Sequence, residues 1–293
     1  MYIKNKEVAD FFGIKEFENS KNFEAFGQNL ELTTNDQENI ILLGQERTLY
    51  DYKLKDISKV YSKIGERVLM TLCQGLTDAR GNGDRKWINT QSGISNFNVN
   101  IFTTIPQFDR MNSVWSLQEQ ISTAIAKTLT ETVYEGKISI AYPFHYLVDE
   151  KKIAGHLIQA ASIDAMHLFV RIGIGMNSTT FCPKLPDDDQ LAKYIFNKTS
   201  SICMPPSLWI NFANGLAENI TASIESGSKH AEYLQLLNIQ PGNSVSIFED
   251  NGTTQFGEQL AQGKFMKIDS VGSIKLDTQS LASGRDYHII KTK

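Results

Sequence analysis

Cysteine is scarce in this chain of 293 residues: there are three, at Cys73, Cys182 and Cys203, widely spaced and odd in number. A disulfide framework is therefore not expected, and with no Cys-x-x-Cys pair neither is a cysteine zinc site or a dithiol redox centre. An excess of positive charge is also lacking. The 29 Lys and Arg are outnumbered by 33 Asp and Glu, for a net charge of −4, and no basic cluster stands out, so no nucleic-acid surface is expected. Nor is any apolar run long enough to span a bilayer, so no membrane span is expected. The opening "MYIKNKEVADFFGIKEFENSKNF" mixes both signs of charge, without a signal-peptide core or an Arg-rich, acid-poor transit segment. These absences point to an intracellular protein, with cytosol and mitochondrial matrix both open.

What is present suits a globular fold. Hydrophobic residues make up 41% of the chain and charged ones 21%, enough for one large domain, or one of about 200 residues with a smaller companion. Residues 1–39 are polar and irregular and read as an N-terminal extension. From "IILL" at 40–43 the pattern alternates between strand and helix. A charged, helix-like segment at 50–65 is followed by "ERVLMTLCQ" at 66–74, a buried strand, and by "SNFNVNIFTTI" at 95–105, a second strand. Residues 112–134 form the clearest helix, because Leu117, Ile121, Ala124, Ile125, Leu129 and Val133 recur every three or four positions, with Ser113 placed to cap it. Strands are expected at 137–142 and 167–178, and helices at 187–197 and 205–225. From about 230 short apolar runs are broken by Pro-Gly, Asn-Gly and Val-Gly-Ser, the texture of a small, bent β-barrel. The expected fold is α+β: a mixed sheet backed by helices over 40–228, then a small C-terminal β-barrel over 230–293, with the boundary near Gly227 to Lys229.

Three motifs carry chemistry. In "YPFHYLVDEKKIAG" a Tyr142-Pro143-Phe144-His145 run precedes a hairpin and then Lys152-Ile153-Ala154-Gly155. "IGIGMN" at 172–177 places Gly173, Gly175 and Asn177 on a strand, and "RGNGDRKW" at 80–87 is a charged glycine loop. Together and in this order they make residues 40–293 resemble the biotin-protein ligases, within the biotin/lipoate ligase superfamily. That family carries a Trp-Pro-Asn-Asp strand end, a Lys-Ile/Leu-Ala/Gly-Gly hairpin strand, a Gly-x-Gly-x-Asn strand and a glycine-arginine loop.

The resemblance implies an enzyme that joins biotin to ATP and passes the biotinyl group to a lysine of an acceptor domain. On it, Lys152 is the catalytic candidate. Arg80, Gly81, Trp87, Gly155, Gly173, Gly175 and Asn177 are the ligand-binding candidates, and biotin, ATP and Mg are the cofactors of an active protein. The same motifs also depart from the pattern. Asn82 replaces an arginine in the phosphate loop and cannot make a bidentate charged contact, and Asp84 adds negative charge there. His145 and Phe144 replace the acid and the amide of the strand end. The ring-pocket motif would be "RTL" at 47–49 or "TTN" at 33–35. Two functions therefore compete: an active, divergent biotin- or lipoate-protein ligase, and a degenerate homologue without cofactors, a pseudoenzyme serving as a structural or interaction subunit of a larger assembly, with the mitochondrion as one setting. His145, His156 and His167 have no metal-ligand spacing and are expected to be structural. No metal site is expected.

Overall fold

The computed structural model describes residues 22–25, 28–31, 40–43, 69–74, 97–106, 110–134, 138–162, 167–179, 202–203, positions 212, 215–216, 218–220 and 222–223, and 226–250, 257–282 and 287–292. Its main body is a seven-stranded sheet. In chain order the strands of the whole chain begin with β1 (Asn22–Ala25) and β2 (Gln28–Glu31), a separate hairpin. They continue with β3 (Ile40–Leu43), β4 (Leu69–Gln74), β5 (Phe97–Pro106), β6 (Ser139–Ala141), β7 (His145–Val148), β8 (Lys151–Ser162) and β9 (His167–Met176). The sheet order is β3-β4-β5-β9-β8-β7-β6, antiparallel throughout except for the parallel β3–β4 pair, so the sheet is mixed as expected. A short parallel pair, β10 (Ser178–Thr179) with β11 (Ile202–Cys203), lies outside it.

Helix α1 (Arg110–Thr132) supplies the core. Its stripe of Leu117, Ile121, Ala124, Ile125 and Leu129 is buried, as the three-and-four spacing requires, and it shares one apolar cluster with β9, where Val170, Ile172, Ile174 and Met176 alternate along the strand. Each such aliphatic side chain contributes about 1.5–3 kcal/mol by leaving water. Ser113 does not cap this helix. The helix already begins at Arg110, so Ser113 lies inside its first turn; the apolar stripe that set the expected start opens only at Leu117, a full turn and more after the backbone becomes helical. The described positions between 212 and 223 that are helical lie within the helix expected at 205–225. The helices expected at 50–65 and 187–197 lie outside the described residues.

The hairpin before Lys152 is tight. Asp149 and Glu150 both have positive φ, 48° and 61°, the two-residue loop whose twist matches the flanking strands, and it joins Val148 directly to its partner Lys151.

Beyond Gly227 the chain enters α2 (His230–Leu236) and then β12 (Ser244–Glu249), β13 (Gln259–Ile268), β14 (Ile274–Leu276), β15 (Ser280–Leu281) and β16 (Tyr287–Lys291). The strands form one antiparallel sheet in the order β15-β14-β13-β12-β16, open at both edges among the described residues, with register shifts in β13 against both neighbours. The stretch 230–236, expected to open the β-rich part, is instead helical: Tyr233 and Leu237 stand four apart and both bury, a helical spacing that the alternating pattern after Asn243 obscured. The C-terminal sheet is not detached from the main one. Asn238 N–H donates to Ile140 O at 2.8 Å, Ile140 and Leu237 form a parallel bridge, and a single buried cluster runs from α1 and β9 through Val245, Ile247, Phe265 and Ile289. Among the described residues no helix is long and apolar enough to cross a membrane.

One turn locks the two sheets together. Gly272, at φ 84°, lies against the indole of Trp115 so closely that a Cβ would come within 2.5 Å of a ring carbon. The chain bends at Gly242 with φ 91°, but there a Cβ would meet nothing within 4 Å. Gly272→Ala should therefore lose about 2–4 kcal/mol, from left-handed backbone plus overpacking. Gly242→Ala should lose only the backbone part, about 1–2 kcal/mol. Urea unfolding midpoints of the two variants check the difference; equal losses would mean that the Trp115 contact is not tight.

Candidate functional site

One row of paired residues crosses the whole main sheet: Leu43, Cys73, Asn98, Gly175, Gly155, His145 and Ala141, on β3, β4, β5, β9, β8, β7 and β6. Two of the glycines named from the sequence are therefore direct partners, and Gly173 is paired one step inward with Leu157 and Asn100. Two connections leave the sheet beside this row. The chain leaves β3 at Leu43 and continues into 47–49. It leaves β4 at Gln74 and returns at Phe97, which bracket the glycine-arginine loop. Phe97 pairs with Met176 and Met176 with Ala154, so the anchor of that loop stands two strand spacings, about 10 Å, from β8. Both ring-pocket candidates, 33–35 and 47–49, lie outside the described residues. Arg80, Gly81 and Trp87, together with Asn82 and Asp84, lie outside the described residues.

Lys152 reaches this row through an irregularity. Tyr146 pairs with Ala154, yet Leu147 pairs with Lys152, leaving Ile153 as an extra residue on β8. Strict alternation would put positions 152 and 155 on opposite faces; the bulge cancels that alternation. The result is convergence. A Cβ on Gly155 would lie 3.4 Å from His145 Nδ1, 3.6 Å from Lys152 Cε and 3.6 Å from the Phe144 carbonyl oxygen.

Asn177 holds the bulge. Its N–H donates to Ile153 O at 2.7 Å, and its Nδ2 donates to Lys152 O at 3.2 Å. Bulged residues fall out of the ladder, and buried carbonyls need donors; one asparagine supplies two. Expected as a ligand-binding residue, Asn177 is thus engaged with the backbone that carries the lysine.

Beneath the row, on the side of α1, lies a polar network that sequence reasoning missed. His156 is buried, with Nε2 2.8 Å from Gln118 Nε2 and Nδ1 2.7 Å from the Tyr146 hydroxyl. Gln118 also donates to Ser122 Oγ at 2.9 Å and to Pro143 O at 3.3 Å. The Gln118 amide nitrogen has two hydrogens for these three neighbours, so which ring nitrogen of His156 carries the proton depends on which of them it serves. Burial pushes the His156 imidazole down to about 3 and, more than its hydrogen bond to Ser122 can offset, pushes the Tyr146 phenol well up. Gln118 and Ser122, four apart beside the apolar stripe, were the available signal. His145 lies close to the Phe144 ring, centroids 4.8 Å apart. His145, His156 and His167 sit on β7, β8 and β9 and pair with Gly155, Ile174 and Pro106. Among the described residues no three His, Cys, Asp or Glu side chains converge to hold a metal.

The depressed His156 value has a defined pH signature. A group whose folded pKa lies below its unfolded one stabilises the fold above the unfolded value, near 6.5, and loses that stabilisation as pH falls towards 3. The full shift corresponds to about 5 kcal/mol. In His156→Gln the fall in unfolding free energy from pH 6.5 to 3 should be visibly shallower than in the parent; parallel acid limbs would mean that His156 titrates normally in the folded protein.

No family model matches the chain, and no curated protein matches it. Solved structures do. The biotin protein ligase from Aquifex aeolicus in complex with biotin and ATP superposes with a TM-score of 0.60 at 15% identity, over 87% of this chain and 100% of that one. Another structure of the Aquifex aeolicus ligase gives 0.56 at 15% identity, over 87% and 99%. The biotin acetyl coenzyme A carboxylase synthetase from Helicobacter pylori with bound biotinylated ATP gives 0.51 at 11%, over 83% and 99%. At such identities the likeness is one of fold: the chain has the fold of the biotin protein ligases, with Lys152, Gly155, Gly173, Gly175 and Asn177 gathered at one end of its main sheet.

Proposed function

We propose that this chain keeps the biotin protein ligase fold without its adenylation chemistry and serves, in the cytosol or the mitochondrial matrix, as a structural or interaction subunit of a larger protein assembly. The observation that carries this reading is the position of His145. The resemblance expects a carboxylate there. Instead a buried imidazole stands next to Gly155, at the distance of ordinary contact from where a Cβ would be. The chain's own imidazole thus stands beside the glycine that would let a ligand approach the sheet. The Phe144 ring beside it, also buried, offers no acceptor. In sequence, Asn82 and Asp84 weaken the phosphate loop in the same direction. Magnesium takes oxygen ligands, and an imidazole in place of the strand-end acid is a poor fit for it.

A second reading has its own support. The bulge that brings Lys152 beside Gly155, held by Asn177, is the kind of preorganisation that an active ligase needs for a lysine meeting a carboxylate and an α-phosphate. On that reading the protein would bind biotin or lipoate, ATP and Mg, and would act on an acceptor domain.

Biotin-dependent ATP–pyrophosphate exchange separates the two. The purified protein should show no exchange above a no-enzyme blank, and isothermal titration with biotin or lipoate plus ATP should give no heat. Exchange that is abolished by Lys152→Ala would refute the first reading. Gly155→Ala adds an independent measure, since its methyl would meet only ordinary contacts. It should leave stability unchanged or raise it by about 0.4–1 kcal/mol, and if the active reading holds it should still cut biotin binding.

A further inference from the structure

Helices α1 and α2 meet at a buried carboxylate. Glu119 is 1% exposed, and its Oε1 accepts from Trp115 Nε1 at 2.6 Å and from His230 Nδ1 at 2.6 Å. His230 keeps part of its ring in solvent, with 26% of its side chain exposed, so protons can reach the pair. One turn along α2, the buried Tyr233 donates its hydroxyl to Pro143 O at 3.1 Å, the same carbonyl that accepts from Gln118. The Trp115 ring packs on Tyr142 at 5.6 Å and edge-on against Tyr233 at 5.9 Å, while Tyr142 donates to Gly272 O at 3.4 Å. Trp115, a partner of Glu119, and Tyr233, one turn from His230, are therefore also supports of the 142–144 turn, from which β7 and His145 begin.

We propose that Trp115, Glu119 and His230 form a proton-operated latch: a single proton shared by Glu119 and His230 seats α2 on α1 and, through Tyr233 and Pro143, holds the 142–145 turn and the sheet row beside Lys152.

Among the described residues His230 is the basic group that meets Glu119. On α2 the pair Lys229–Glu232, at 3.1 Å, engages itself on the solvent side. On α1 the exposed pair Lys127–Glu131 lies two to three turns further along. The β13–β14 turn contributes Asp269, whose carboxylate accepts from the Val271 and Ser273 amides of its own loop. From the helical positions between 212 and 223 the acid is Glu218, which is exposed. Tyr142 and Tyr233 direct their hydroxyls to backbone carbonyls, and Tyr146 points into the His156 network. Burial raises the Glu119 carboxyl above its ordinary range, with the His230 hydrogen bond and charge, then Trp115, pulling it back.

Two changes of protonation undo the latch. A second proton turns Glu119 into a neutral acid facing an imidazolium, and the attraction is lost. Removing the shared proton leaves a buried carboxylate with no counter-charge, an arrangement that is costly inside a protein. The latch is thus closed within a window and loosens on both sides of it. None of this depends on whether the protein turns over a substrate.

Hydrogen exchange on the full chain tests it, with peptides covering 141–157 and 228–238 followed from about pH 5 to 9 and corrected for intrinsic rates. Both segments should be most protected at intermediate pH and lose about tenfold in protection on the alkaline side, a change of about 1.4 kcal/mol. In Glu119→Gln the amide oxygen can still accept both hydrogen bonds but cannot ionise, so both profiles should be flat. Should that variant fail to fold, His230→Gln removes the alkaline-side change while leaving Glu119 able to ionise, and should flatten the alkaline limb of both profiles. Tyr233→Phe should leave the profile of 228–238 intact and make 141–157 insensitive to pH. A flat profile in the parent, a bell that survives in both Glu119→Gln and His230→Gln, or loosening of 228–238 that never reaches 141–157 would each overturn the proposal.

Discussion

The pairing of β8 with β9 is the constraint on which the rest depends. It runs from Ala154–Met176 to Ser162–Leu168 without a break, and its core side carries the alternating Val170, Ile172, Ile174 and Met176 that α1 covers. Immediately beyond its regular part comes the extra residue Ile153. A long, in-register pair is rigid, so the irregularity is confined to one place and the lysine next to it inherits a defined position. Asn177, the first residue after β9, then supplies donors to the carbonyls of residues 152 and 153. The end of one strand thus fixes the bulge of its neighbour, and the bulge decides which face of the sheet Lys152 joins.

Helix α1 makes a different contribution on each side of its apolar stripe. Gln118 and Ser122 send a polar network towards His156 and Tyr146 under the sheet, whereas Trp115 and Glu119 reach α2 and the β13–β14 turn. Pro143 is where the two meet, because its carbonyl accepts from both Gln118 and Tyr233. This explains why the C-terminal sheet shares a core with the main one. The turn that starts β7 is supported by residues from α1, α2 and the far sheet, and none of these supports is near it in sequence.

Much of the architecture was legible beforehand. The helix over 112–134 could be read because a 3.6-residue period over so many residues has few alternatives, and β4, β5 and β9 could be read from their apolar runs and alternation. The start of α1 and the existence of α2 were not. The apolar stripe of α1 opens a turn after its backbone does, and α2 is so short that Tyr233 and Leu237 alone mark its period. At the candidate site the sequence pointed to Lys152, Gly155, Gly173, Gly175 and Asn177 through motif resemblance. It pointed to Asn177 as a ligand-binding residue, and the structure adds its bonds to the backbone of Lys152 and Ile153; it passed over Gln118, Tyr146, Glu119 and His230, which match no motif.

By itself, then, the sequence determined the order of elements, the faces of α1 and β9 and the segments that carry the candidate chemistry, because these follow from periodicity and local residue type. Which segments share the row beside Gly155 was decided by strand pairing between positions far apart in the chain, such as Asn98 with Gly175. On which face Lys152 stands was decided by one unpaired residue, Ile153. A bulge has no period and a long-range register leaves no local mark, so both became visible only when the chain was folded.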